Sequence, residues 1–370
     1  MKRLTIISFS ILLVLGVSAQ NKKFKEPERQ PDGIDRFLHR IDTTHELNIS
    51  AINKVINYGY FRFAAHAEWK LSNSTTRDEM AYWEWFLAYL QITSRKDMEG
   101  GFIHTEKALD LTRDSGEFLC QILALRVKYY DSTLEFGKEI ATLDEINKIT
   151  NRMSGKPAFW ACVKKAKLLK HLNRTDESLK YYNMAISAGS NDSIELADTY
   201  YNRALILLHS TNDSAIIMSD LEMATALNDK ETKYLYEHAR LCREWYDTVP
   251  EYRAVMTKEC ERILQLDTMP TLSSIRHCAL AMLGRKFEAE RWIDQVMANF
   301  GDKQNNWVYI YYNKACIYAI LNDVQQAMDY LTEAEMRGAI NCAKLRDDAN
   351  FYNLIDTDEF EELMLRVCKE

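Results

Sequence analysis

The sequence predicts an all-α protein, an α-solenoid of about seven helical hairpins closed by capping helices at both ends. Three observations carry this. Apolar and aromatic residues recur three and four positions apart instead of alternating, which is the period of a helix and not of a strand. Glycine and proline, the residues that interrupt helices, number only 12 and 5 in 370 residues. Small residues also return at two fixed intervals: Ala166 is followed twelve positions on by Ser178 and seven later by Ala185, and Ala315 by Ala327 and Ala334 in the same way. Small side chains at fixed spacing let paired antiparallel helices approach closely. With 47% hydrophobic and 11% aromatic residues the chain has apolar material for a long core, and tandem hairpins absorb such a length without a domain boundary.

Two further copies lengthen the first interval by one residue, Ala88–Gly101–Ala108 and Ala204–Ile217–Ala224. Weaker hairpins fit around Ala124, Ala239 and the Cys278–Ala279 pair, so the centres fall at 88, 124, 166, 204, 239, 278 and 315. Tyr311-Tyr312-Asn313-Lys314-Ala315-Cys316, followed by Ala327-Met328-Asp329-Tyr330-Leu331 and Glu333-Ala334, resembles the tetratricopeptide repeat (TPR) family, and Tyr201-Asn202-Arg203-Ala204 is similar. Leu345 to Leu363, with Phe351, Leu354 and Phe360, resembles the short helical ending that closes many bacterial arrays of this family. A solenoid needs such a cap because its terminal repeat would otherwise expose an apolar face. The resemblance covers residues 82–370. It departs near His277, where the small crossing residue is not evident, and at 118–150 and 233–266, which lack a clear second-helix alanine. The expected organisation is N-terminal capping helices over 33–81, repeats over 82–340 and a C-terminal cap over 341–370.

The first residues read differently. Met1-Lys2-Arg3, the apolar run Leu4 to Val17 and then Ser18-Ala19 have the form of a secretory signal peptide over 1–19, with a core too short for a comfortable membrane span. Residues 20–32, polar and containing Pro27 and Pro31, read as a flexible leader. The first cysteine is Cys120, so no acceptor for a lipid anchor stands near the cleavage point. The expectation is an exported protein, periplasmic or otherwise extracytoplasmic, soluble and not lipid-anchored. Loss of Lys2 and Arg3 takes the formal charge from −7 to −9, and with no long Lys/Arg block nucleic acid is excluded as a partner.

Catalytic and cofactor signatures are not found. Gly100-Gly101 falls inside a hairpin, where it serves packing, and no phosphate loop, nucleophile elbow or two-histidine zinc pattern occurs. The reading is a non-enzymatic chain with no cofactor and no metal. His238 and Cys242 lie one helical turn apart and form a candidate ligand pair, but no second pair accompanies them, and packing is the favoured account. The eight cysteines, spread from Cys120 to Cys368, are read as mostly free, buried thiols, because they do not resemble a compact disulfide framework.

The resemblance implies where a partner binds. In TPR superhelices the first helix of each hairpin lines the concave side. In this sequence that choice selects Tyr82, Trp85, Tyr89 and Ile92; Trp160, Val163, Lys167, Lys170 and His171; Tyr201, Leu205, Leu208 and His209; and Tyr309 and Tyr312. The TPR subclass that grips terminal carboxylates uses inward lysine and asparagine. Asn202 and Asn313 match one member, but Tyr201 and Tyr312 stand for the lysine, and Leu205 and Cys316 for the second asparagine, so that specificity is not expected. The same aromatic residues can equally be packed between hairpins. Two function classes follow: an adaptor or assembly factor holding a protein or peptide segment, and a module that stacks a glycan on aromatic faces. Finally, six Asp-(Ser/Thr)-X triplets resemble O-glycosylation acceptors of exported bacterial proteins, at Thr43, Ser132, Ser193, Ser214, Thr248 and Thr268. Helix capping by Asp, Ser and Thr is the competing account of the same residues.

Overall fold

The computed structural model describes residues 49–210, 213–245, 247–300, 304–338 and 340–368; side chains are described from residue 59 on, except those of 304–309, 344 and 347. The predicted signal peptide, the leader and Thr43 lie outside these residues. Every regular element described is helical. In chain order these are α1 (Ile49–Asn73), α2 (Arg77–Ser94), α3 (Met98–Leu111), α4 (Glu117–Ser132), α5 (Phe136–Ser154), α6 (Phe159–His171), α7 (Thr175–Ala188), α8 (Ser193–Ser210) and α9 (Ser214–Leu227). There follow α10 (Thr232–Trp245), α11 (Glu251–Leu266), α12 (Arg276–Met282), α13 (Lys286–Phe300), α14 (Gln304–Ile320), α15 (Val324–Met336), α16 (Cys342–Asp347), a 3-10 turn (Ala349–Leu354) and α17 (Asp358–Val367). From α2 to α15 the helices pair in sequence, giving seven hairpins among the described residues.

The small-residue rule has a direct physical counterpart. Ala166, Ser178 and Ala185, and likewise Ala315, Ala327 and Ala334, are fully buried where the paired helices cross. A serine is tolerated in that contact because the Ser178 hydroxyl donates to the Ala166 carbonyl across the hairpin, at 2.7 Å. Gly101 is needed for the same approach: a Cβ there would come within 2.6 Å of Ile92 Cγ1. In the weak repeat the crossing residue is His277. Ala289 and Val296 stand twelve and nineteen positions after it and are buried, which moves the centre one residue from the expected Cys278–Ala279 pair. Helix α11 offers Met256, Cys260 and Ile263 in place of the missing alanines.

Among the described residues, five hairpins turn through one residue of left-handed backbone: Arg95, Leu134, Asn173, Gly284 and Asn322. This geometry ends the first helix and satisfies its last carbonyls. After Leu134, Asn173, Gly284 and Asn322 the next amide donates back to Tyr130, Leu169, Leu280 and Tyr318 respectively, at 2.8–2.9 Å.

The chain divides after Arg113 into two compact units. In the first, α1 packs on α2 through Phe63 and Ala67, with the Phe63 ring edge-on to Phe86 at 6.5 Å. The second holds six hairpins and the C-terminal cap. A disulfide joins Cys342 to Cys368, which corrects the expectation of free thiols at these two positions: α16 and the end of α17 bring their Cα atoms within 4.9 Å. The other six cysteines are free, and all but Cys120 are buried.

Candidate functional site

The first helices of the hairpins are 13–18 residues long with one exception, α12, which has 7. Pro270 disfavours helix at the residue before it, and the segment that follows folds onto Asp267 instead. The Asp267 carboxylate accepts from the Ser274 hydroxyl and the Ile275 amide, both at 2.9 Å, and from the Arg276 amide at 3.1 Å. Where the missing turns of α12 would stand there is a cavity of about 500 Å³. Leu205, Leu208 and His209 of α8 line it, with Tyr236, Glu237 and Arg240 of α10, His277 and Cys278 of α12, Tyr312, Asn313 and Cys316 of α14, and Asp348, Ala349, Asn350 and Tyr352 of the cap.

The cap is joined to this wall by two long-range hydrogen bonds: the Tyr236 hydroxyl donates to Asn350 Oδ1 at 2.8 Å, and the Tyr312 hydroxyl to Asp348 Oδ2 at 2.6 Å. Burial, and then the neighbouring Asp348 carboxylate, hold the Tyr312 phenol far above its ordinary value, so it stays a donor. Arg240 is 4% exposed. It donates to Glu237 at 2.9 Å and to Glu244, and these carboxylates outweigh the burial that would lower its pKa. Burial drives the His277 imidazole down to about 4, against the pull of the Ser274 carbonyl, so the ring is neutral at physiological pH.

Of the groove residues expected from sequence, Leu205, Leu208, His209 and Tyr312 meet in this cavity. Tyr201 lies beside Tyr234, ring centroids 4.9 Å apart, with Lys233 over both rings. Asp198 accepts from Lys167 at 2.8 Å and lies 3.5 Å from Lys233. Although burial would raise the Asp198 carboxyl, these two lysines bring its pKa below the ordinary value. Lys170 is exposed on the same row. Trp160, 42% exposed, borders a separate cleft with Cys120, Gln121, Thr150 and Met153. Trp85 and Tyr89, in contrast, are 2% and 7% exposed, and their rings pack 5.9 Å apart. They are core side chains and present no open face, and Tyr82, half-buried, packs against Trp85. The Tyr309 side chain lies outside the described residues.

Sequence reasoning missed Tyr236, Glu237, Arg240, the 272–278 segment and the cap residues. The register would have yielded four of them: counting three back and one forward gives Tyr236 and Arg240 around Ala239, and Ser274 and Cys278 around His277. His238 is buried with Glu259 Oε1 3.5 Å from its Nδ1, and no group of three His, Cys, Asp or Glu among the described residues is placed to hold a metal. No described helix is long and apolar enough to cross a membrane. Ser132, Ser193, Ser214, Thr248 and Thr268 are all exposed. Their neighbours Asp192, Asp213 and Asp267 accept backbone amides at helix starts, as capping requires.

Residues 308–336, spanning most of α14 and α15, match the family model described as tetratricopeptide repeat. The chain carries a tetratricopeptide repeat. That repeat supplies Tyr312, Asn313 and Cys316 to the cavity. No curated protein matches the chain. Among solved structures it is similar to a tetratricopeptide repeat protein from Parabacteroides merdae ATCC 43184, at 15% identity and TM-score 0.45, covering 78% of this chain and 100% of the other. It is also similar to the apo quorum sensor NprR of B. thuringiensis, at 11% identity and TM-score 0.49, with 87% and 96% covered. A Rap protein complexed with Competence and Sporulation Factor gives 12% identity and TM-score 0.35, with 82% and 79% covered.

Proposed function

We propose that this chain is an exported, non-enzymatic scaffold that holds an extended segment of another protein along the first-helix row of its second unit. The observation that carries the reading is the cavity at the shortened α12, where the first helices α8, α10, α12 and α14 and the cap converge on one space. Apolar residues beside a few fixed polar groups are the usual composition of a recognition pocket. Its tyrosines, Tyr236, Tyr312 and Tyr352, offer aromatic contact area at little entropic cost. Lys167, Lys170 and Tyr201 extend the row toward α6. The exposed Ser132, Ser193, Ser214, Thr248 and Thr268, at or next to helix ends, are the proposed sugar acceptors, and Thr43 belongs to the same proposal.

The test is site-specific photo-crosslinking in the native envelope, with a benzophenone side chain at Leu208 in the cavity or at the exposed Lys258 of α11. A discrete adduct from position 208 and none from 258 is expected. Equal labelling at both, or none at 208, contradicts the reading.

A further inference from the structure

The charges around the cavity select among the side chains a bound segment can place there, an inference that rests on the protein-binding reading above. We infer that the cavity at α12 seats a lysine or arginine of an extended peptide. Two carboxylates, Glu237 and Asp348, line the cavity against one guanidinium, Arg240. The Arg240 charge is already shared by two carboxylates, because its Nε donates to Glu237 and its Nη1 to Glu244. Asp348, by contrast, pairs with no cation among the described residues. Its oxygens accept only from neutral donors, the Tyr312 hydroxyl at 2.6 Å, the Asn350 amide at 2.9 Å and the Cys316 thiol at 3.9 Å.

A second observation points the same way. His277, 4% exposed and on the cavity wall, is a neutral imidazole and adds no positive charge to it. An incoming carboxylate would therefore meet Glu237 and Asp348, with the one guanidinium already shared between Glu237 and Glu244. The remaining walls suit the stem of such a side chain. Leu205, Leu208 and Leu272 are there to cover methylenes, and three tyrosines, Tyr236, Tyr312 and Tyr352, line the same space. This is the opposite polarity to a carboxylate grip, in keeping with Tyr312 and Cys316 where lysine and asparagine would stand.

The experiment uses phage-displayed random dodecapeptides selected on the purified full chain, followed by synthesis of the selected peptides and anisotropy titration. Lysine or arginine should recur at one position, and its replacement by norleucine or citrulline should weaken binding roughly tenfold. Asp348→Asn keeps the cap of the 3-10 turn, because asparagine caps as aspartate does. It should weaken the parent peptide by a similar factor and leave the norleucine or citrulline analogue unchanged. Glu237→Gln serves as a second variant outside the cap. Enrichment of acidic or purely apolar anchors, or affinities indifferent to all these changes, overturns the inference while leaving the scaffold reading intact. Absence of any enriched peptide overturns both.

Discussion

At the scale of single residues, His277 shows how a side chain was hidden from pattern reading and still shapes the molecule. It occupies the crossing position that a small residue fills in the clear repeats, and so broke the pattern by which repeats were recognised. Its ordinary pKa of 6.5 falls to about 4 because burial disfavours the imidazolium. The folded state therefore binds fewer protons than the unfolded chain between these values. The associated stability is fully present above pH 6.5 and is lost as the pH falls toward 4. At pH 5 the loss is about 2 kcal/mol, since a tenfold change in proton affinity is worth about 1.4 kcal/mol. Replacing His277 by Gln should make the melting temperature fall less between pH 7 and pH 5 than in the parent chain; an identical fall in both would contradict this account. Trp85 teaches the complementary lesson: at the sequence level an inward-facing aromatic and a buried one have the same spacing, and only the surrounding surface separates them.

At the scale of elements, the hairpins with small residues at their crossings were legible because close backbone approach leaves a mark in residue size. The cavity was not, because it results from something missing: α12 is short where its neighbours are long, and Pro270 with the Asp267 turn replaces the absent helix. Nor was the disulfide, since Cys342 and Cys368 become neighbours only after α16 and α17 fold back on one another. That bond closes the segment bearing Asp348, Asn350 and Tyr352 over a separation of 26 residues. A loop of this length removes about 3.5 kcal/mol of unfolded-chain entropy. The Cys342→Ser, Cys368→Ser double variant should lose stability of that order in the second unit's denaturant midpoint, and the parent should lose the same amount under a dithiol reductant. No change in either would show that the cap is held by Phe351, Leu354, Phe360 and Leu363 alone.

At the scale of the whole molecule, the proposal is an exported chain with a binding row in its second unit. Export predicts that protein recovered from its native envelope begins at Gln20, with intact mass above that of the polypeptide by sugar-sized steps removed on Ser/Thr→Ala substitution at the six acceptor residues. A mass that includes Met1 contradicts export, and a mass equal to residues 20–370 contradicts the sugars. The central claim is that a partner lies along the first helices and anchors at α12. Hydrogen–deuterium exchange of the full chain, with and without the tightest peptide from the library selection, tests it most directly. Bound peptide should slow exchange in segments 205–209, 236–240, 272–278 and 348–352 and leave the second helices α7, α9 and α11 unchanged. Protection confined to those second helices, or to residues 49–113, would contradict it.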